Sequence, residues 1–283
     1  MIETRGYTYR KVVNAGFRVA SGAAVALALL PLVSVLYYTT ARGIGGVNLA
    51  FFTELPKPVG ETGGGMANAL SGTLKLVAMA CAIGLPVGVL AGVFLSEFRA
   101  SSFATAVRFS ADVMSGIPSI TIGMVVYTVV VRPMGHFSAF AGSVALAIIM
   151  LPTVTRTTEE LLRLVPANLR EAALGLGMPK WRATLSIVLR TAAPGIVTGA
   201  MLAVARIGGE TAPLLFTAFN NRFWGKGIDE PVASLPVQIY TYAVSPYEDW
   251  HRQAWAAAFV LVVLTLLLNV TAKFLVRNRL DAR

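Results

Sequence analysis

The stretch Ala-Arg-Ile-Gly-Gly-Glu-Thr-Ala-Pro at 205–213 places Arg206 and Glu210 inside an otherwise apolar run. A charge at the centre of a lipid-embedded helix costs about 2.5–3.5 kcal/mol on insertion scales. On a continuous helix the two residues, four apart, share a face and can neutralise each other. The same residues also suit a binding site. A guanidinium keeps its charge when desolvated and offers an oxyanion a planar fork of donors. Thr211 adds a hydroxyl. Gly208 and Gly209 remove side-chain bulk, and Pro213 cannot donate to the Gly209 carbonyl, so this backbone can open towards a cavity. Structural pairing and anion contact both stay open at this point. Lys75, near the outer end of its apolar run, can snorkel to the interface and is left out of the candidate set.

The elements that must hold these residues follow from composition. The chain has 283 residues, 55% hydrophobic and 13% charged, about half the charge of an ordinary soluble domain. Charge-free runs cover 19–41, 76–96, 113–131, 137–155 and 253–272. Each is close to the ~20 residues that cross a bilayer as a helix. A sixth run starts at Thr191 and reaches Phe219, broken only by Arg206 and Glu210. The reading is an all-α membrane protein with six transmembrane helices. The first run is too long for a signal-peptide core and lacks a small-residue cleavage site. The single cysteine, Cys81, allows no internal disulfide.

Orientation follows from the basic residues. With the N-terminus inside and six spans alternating, sixteen of the 24 Lys and Arg fall inside, six outside, and Lys75 and Arg206 within spans. That bias places both termini in the cytoplasm. The net charge of +10 is mostly this bias, which a basic face near anionic lipid explains without nucleic acid. The glycine run at 63–65 lacks the phosphate-loop spacing, as does the Gly-Lys-Gly at 225–227, so no ATP site is legible.

The chain divides into a first helix with its external loop (1–66), a five-helix core (67–276) and a cytoplasmic tail (277–283). No internal repeat is visible. Ser-Gly-Ile-Pro-Ser-Ile-Thr-Ile-Gly at 115–123 carries Gly116 and Pro118. It reads either as a broken helix lining a cavity or as an ordinary proline kink. The external segment 220–252 mixes charge with aromatic residues, and reads as a solvated loop, as a segment that partly re-enters the membrane, or as one that meets an external partner.

The internal loop 156–190 has its own grammar. Asn168 can cap a helix, with Glu171 three residues on as in a capping box. Leu169, Ala172, Ala173 and Leu176 supply an apolar stripe, Gly177 suits the C-terminal turn and Pro179 the start of the next helix. A short helix over roughly 169–176 is too short to be stable alone and needs a surface to lie in.

Glu171, Ala172, Ala173, Gly177, Ile187 and Leu189 stand at the spacing of the EAA motif, and this loop resembles that of ABC-importer permeases. Arg190 occupies the place where the motif usually has proline. The resemblance implies a MetI-like type I importer fold. It also implies that Glu171, Ala172, Ala173 and Gly177 belong to a coupling helix docking on an ATPase subunit. Further segments, GIPSITIG, LPTVTRTTEELL, ARIGGETAPLLFTAF and SLPVQIYTYA, resemble the PstA family of permeases from phosphate-specific ABC importers, over most of 67–276. That resemblance implies a multi-pass protein of the bacterial inner membrane that imports phosphate and is not itself an enzyme. It implies a second, PstC-like permease, two PstB-like ATPase subunits that bind ATP and Mg, and an external PstS-like phosphate-binding protein. It places Arg206 on the translocation path. Glu210, moderating the arginine, and Thr211 complete the expected set. The rival readings are a permease for molybdate or sulfate, an ATP-independent transporter, and a scaffold that relays phosphate status.

Overall fold

The computed structural model describes residues 3–61 and 63–281. The side chains of Arg5, Lys273, Arg277, Arg279 and Arg283, used above for orientation, lie outside the described ones, as do those of the tail 277–283. In chain order the helices are α1 (Glu3–Gly43), α2 (Leu49–Thr53), α3 (Ala67–Glu97), α4 (Ser102–Gly116), α5 (Ser119–Val126), α6 (Arg132–Met134) and α7 (Ala139–Leu164). There follow α8 (Ala167–Gly175), α9 (Lys180–Ala183), α10 (Leu189–Gly208), α11 (Ala212–Leu215), α12 (Leu235–Ala243) and α13 (Glu248–Asp281). Wider π turns at Tyr127–Val131 and Thr184–Val188 join α5 to α6 and α9 to α10.

Among the described residues, five helices are long and apolar enough to span a membrane: Tyr9–Gly46, Ala67–Glu97, Ala139–Leu164, Lys180–Gly208 and Glu248–Thr271. The expected span at 113–131 is different. It is split between Ser102–Gly116 and Ser119–Met134, which meet at 107°. That bend is far beyond a proline kink. Ile117 is extended, as the residue before a proline prefers, and Pro118 supplies no N–H to carry the helix on. Counting the bent pair as one span gives six.

The core is built on the α3–α7 pair. Gly84, Gly88 and Gly92 recur every fourth residue and so form one bare stripe along α3. A Cβ at Gly88 would sit 2.8 Å from the Val154 Cβ, and one at Gly92 2.5 Å from the Thr158 Cβ. The absent side chains let the two backbones close up. Around this pair gather Leu76, Ala80, Ile122, Met150, Ile207 and Leu214, so α5, α10 and α11 share one buried cluster with it. α10 also packs on α7, where Gly199 faces Thr157 and Gly195 faces Leu161.

α1 stands apart. Among its residues whose burial is described only Thr39 and Gly43 are buried, and Gly43 fits against the Trp255 carbonyl of α13.

The segment 220–252 is not a plain solvated loop. Its carbonyls at Ile228 and Glu230 accept the Phe140 and Ala139 N–H groups at the start of α7, both at 2.9 Å. Lys75 Nζ donates to the carbonyls of Gly225 at 2.7 Å and Gly227 at 3.2 Å, so this lysine straps the segment down. Thr73 Oγ1 accepts the Leu235 N–H at 2.8 Å and caps α12 from another helix. Leu235, Val237 and Tyr242 of α12 are buried.

Candidate functional site

The structure corrects the expectation of one helix through Arg206 and Glu210. α10 stops at Gly208, and the last N–H groups, of Gly209 and Glu210, turn back to the carbonyls of Arg206 at 3.3 Å and Ile207 at 3.2 Å. Two successive glycines each cost about 1 kcal/mol of helix propensity relative to alanine, and Pro213 removes the donor that Gly209 would need. Glu210 therefore lies between helices. Among the described residues no ion pair joins it to Arg206, and neither side chain holds a hydrogen bond. Arg206 is exposed on this chain; Glu210 and Thr211 are half-buried. Thr211 begins α11, its carbonyl accepting from the N–H groups of Leu214 and Leu215, while its hydroxyl caps nothing.

Arg206 meets the second break instead. It lines a narrow cleft of about 10 Å³ with Ser115, Ile117, Ser119, Ile122 and Pro152 among its walls. The bend at Ile117–Pro118 turns the start of α5, with Ser119 first, into this cleft. The first N–H groups of a helix lack internal acceptors and carry a positive partial charge. A guanidinium beside a helix N-terminus is a place where an anion exchanges hydration for fixed donors. The cleft holds at most one water. The two broken segments are fastened together higher up, where a Cβ at Gly123 would stand 2.6 Å from Pro213 Cα.

Further along α7 lies a cluster that the sequence reading missed. Glu159 is 1% exposed and accepts from three arginines. Arg108 Nε approaches at 2.6 Å, Arg156 Nη1 at 3.3 Å, and Arg163 closes the third contact. Arg156 also grips Asp112 through Nη2, at 2.5 and 2.7 Å, and Nε, at 2.9 Å. Arg108 Nη2 donates to the Leu95 carbonyl at 2.9 Å, tying α3, α4 and α7 together. Part of this was legible: Arg156, Glu159 and Arg163 share a helix face at three- and four-residue spacing. The part contributed by Arg108 and Asp112 comes from a different helix and has no local signal.

The loop expected over 156–190 is shorter, because α7 runs to Leu164 and the next membrane-length helix begins at Lys180. α8 occupies Ala167–Gly175, starting after Pro166 with no side-chain cap. The expected cap at Asn168 and its capping box with Glu171 are therefore not made. Pro166 already turns the chain into the helix, which puts Asn168 inside the first turn. The C-terminus matches the expectation for Gly177. That residue has φ +79°, and the N–H groups of Gly177 and Met178 return to the carbonyls of Leu174 and Ala173 at 2.9 and 3.1 Å. Ala173 is buried against the chain itself, while Glu171 and Ala172 are exposed. Leu176 is 86% exposed, so most of the apolar stripe of α8 has no cover within this chain.

The pattern of the family described as "binding-protein-dependent transport system inner membrane component" matches residues 84–280. The phosphate transport system permease protein PstA of Yersinia pestis is 46% identical over 266 residues, which are 94% of this chain and 90% of that protein. The protein of the same name from Haemophilus influenzae is 43% identical, over 96% of this chain and 97% of its own. Among solved structures, an inward-facing MetNI methionine ABC transporter aligns with 75% of this chain and 96% of its own, with TM-score 0.56 and 23% identity. A bacterial alginate ABC transporter aligns over 95% and 97%, with TM-score 0.69 and 15% identity. The all-helical fold is thus that of MetI-like importer permeases. The chain belongs to the binding-protein-dependent transport system inner membrane components, and within them to the PstA-type phosphate transport system permeases.

Proposed function

We propose that this chain is the PstA-type half of the membrane pathway of an ATP-driven phosphate importer, with Arg206 as its anion contact. The observation that carries the site is an arginine left without a carboxylate where two helix breaks meet. The relatives supply the substrate class. The cleft is one-sided, so a second, PstC-like permease brings the facing wall. Both termini face the cytoplasm, by the distribution of lysine and arginine. α8 then lies inside, and its uncovered leucines dock on a PstB-like ATPase that binds ATP and Mg. An external PstS-like protein delivers phosphate.

In this cycle Arg206 and the N-terminus of α5 replace part of the phosphate hydration shell, and the hydroxyl of Thr211 supplies one more donor. Glu210, close in sequence but outside the helix, keeps the anion from being trapped by offering Arg206 an alternative partner on release. The chain performs no bond chemistry itself. ATP hydrolysis is the work of the partner.

The test is radiolabelled phosphate uptake in cells that supply the partner subunits, with sulfate and molybdate as competitors. The expected result is uptake that neither competitor lowers and that Arg206→Gln abolishes in membranes where the complex still assembles. Displacement by sulfate or molybdate would reassign the substrate. Unchanged uptake by Arg206→Gln would remove the arginine from the path.

A further inference from the structure

A groove of about 480 Å³ lies between the end of α3 and the start of the Lys180–Gly208 helix. Val93, Phe98, Trp181 and Leu185 make it almost wholly apolar. Its polar groups are accounted for with one exception. Glu97 accepts the guanidinium of Arg170, and the Thr184 hydroxyl donates to the Lys180 carbonyl at 3.0 Å. The Lys180 ammonium meets only a ring face, 5.8 Å from the Phe98 centroid, and no carboxylate pairs with it among the described residues. Trp181, Phe98 and Leu185 are exposed.

An apolar trough at the end of two membrane spans, with an unpaired cation at its rim, is complementary to one kind of molecule. We infer that the groove holds an anionic phospholipid, its acyl chain along Val93, Trp181 and Leu185 and its phosphate on Lys180. A soluble metabolite would leave the apolar walls wet, and a zwitterionic lipid would bring its own cation to the rim. Occupancy has a consequence for coupling. Arg170 of α8 is anchored on Glu97 in the groove wall, and α9 follows α8 directly after the Gly177 turn. The lipid therefore steadies both attachments of α8. This inference rests on the inner placement of α8 proposed above.

The test uses the purified permease–ATPase complex in nanodiscs, with retained lipid read by native mass spectrometry after exchange into detergent. Phosphatidylglycerol is expected to be retained over phosphatidylcholine. Lys180→Gln should lower that preference about fivefold, with ATPase co-purification unchanged. Trp181→Ala should weaken retention of both lipids. Arg18→Gln, at a basic position outside the groove, should leave retention as it was. Equal retention of the two lipids by the parent, or an unchanged preference in Lys180→Gln, would overturn the inference. So would inorganic phosphate displacing the lipid, or Trp181→Ala detaching the ATPase while lipid stays. Lipid retention is read without transport, so these failures leave the phosphate reading standing. Loss of that reading through Arg206→Gln would not move lipid retention.

Discussion

Arg206 and Arg156 are guanidinium groups on neighbouring helices of the same core, and the fold treats them in opposite ways. Arg156 sits mid-helix on α7 and is held by Asp112 and Glu159. Arg206 sits in the last turn of α10, beside a helix break, and is held by neither. The difference is not in the sequence content, because a carboxylate lies within four residues of each. It lies in backbone continuity. Glu159 stays on the face of Arg156 because α7 is unbroken there. Glu210 leaves the face of Arg206 because Gly208 and Gly209 end the helix. An arginine becomes available to a ligand where the chain denies it an internal counter-charge.

The strongest way to break this comparison is to remove each arginine in turn. Arg206→Gln should lower phosphate uptake on the order of a hundredfold, the loss of one or two charge-assisted hydrogen bonds. Arg156→Gln should leave uptake within about threefold, since a group already engaged has little to offer a passing anion. Equal losses would mean that pairing does not decide availability. Next in size is Glu159→Gln, which leaves three guanidinium groups around a neutral amide. A buried pair broken from one side costs about 3–5 kcal/mol. The arginines are 18–39% exposed and recover some hydration, so about 2 kcal/mol is expected, read as loss of resistance to denaturation in detergent.

A subtler variant sharpens the comparison by repairing the helix. Gly208 and Gly209 have no steric need to be glycine. A Cβ at Gly208 meets nothing within 4 Å, and one at Gly209 meets only the Arg206 carbonyl at 3.9 Å. Gly208→Ala with Gly209→Ala adds about 2 kcal/mol of helix propensity and should draw Glu210 towards Arg206. Uptake is expected to fall on the order of tenfold with assembly intact. No change would show that the break does not keep the pair apart. The smallest effect should come from Asp112→Asn. Asp112 is 55% exposed, so the stability loss should stay below about 1 kcal/mol. A measurable rise in phosphate retention by that variant would show Arg156 turned into a second available cation.

What could be read without the structure was what depends on neighbours along the chain. Five of the six apolar runs lie on single helices of membrane-spanning length because length and hydropathy suffice for that. The turn at Gly177 formed where a left-handed residue was needed and only glycine takes it without strain. Gly116 and Pro118 marked a break, but not its size, because 107° is set by what α4 and α5 pack against. The cap at Asn168 failed for a local reason, Pro166 having already begun the helix.

Membrane character, the uneven distribution of basic charge, the short helix after Pro166 and the weak point at Gly208–Gly209 were all determined by the sequence itself, through hydropathy, residue spacing and backbone freedom. Only the tertiary structure decided which charges meet. Arg108 and Glu159 are 51 residues apart, and Lys75 and Gly225 are 150 apart; no periodicity connects them. Their meeting depends on helices drawn together by the bare glycine stripe of α3. Arg206 lost its neighbour Glu210 through the local break at Gly208–Gly209, and packing decided only that α4, α5 and α7 supply the other walls of its cleft. How closely distant helices approach settles which of their ionic groups find partners, and that is a property of packing rather than of local sequence.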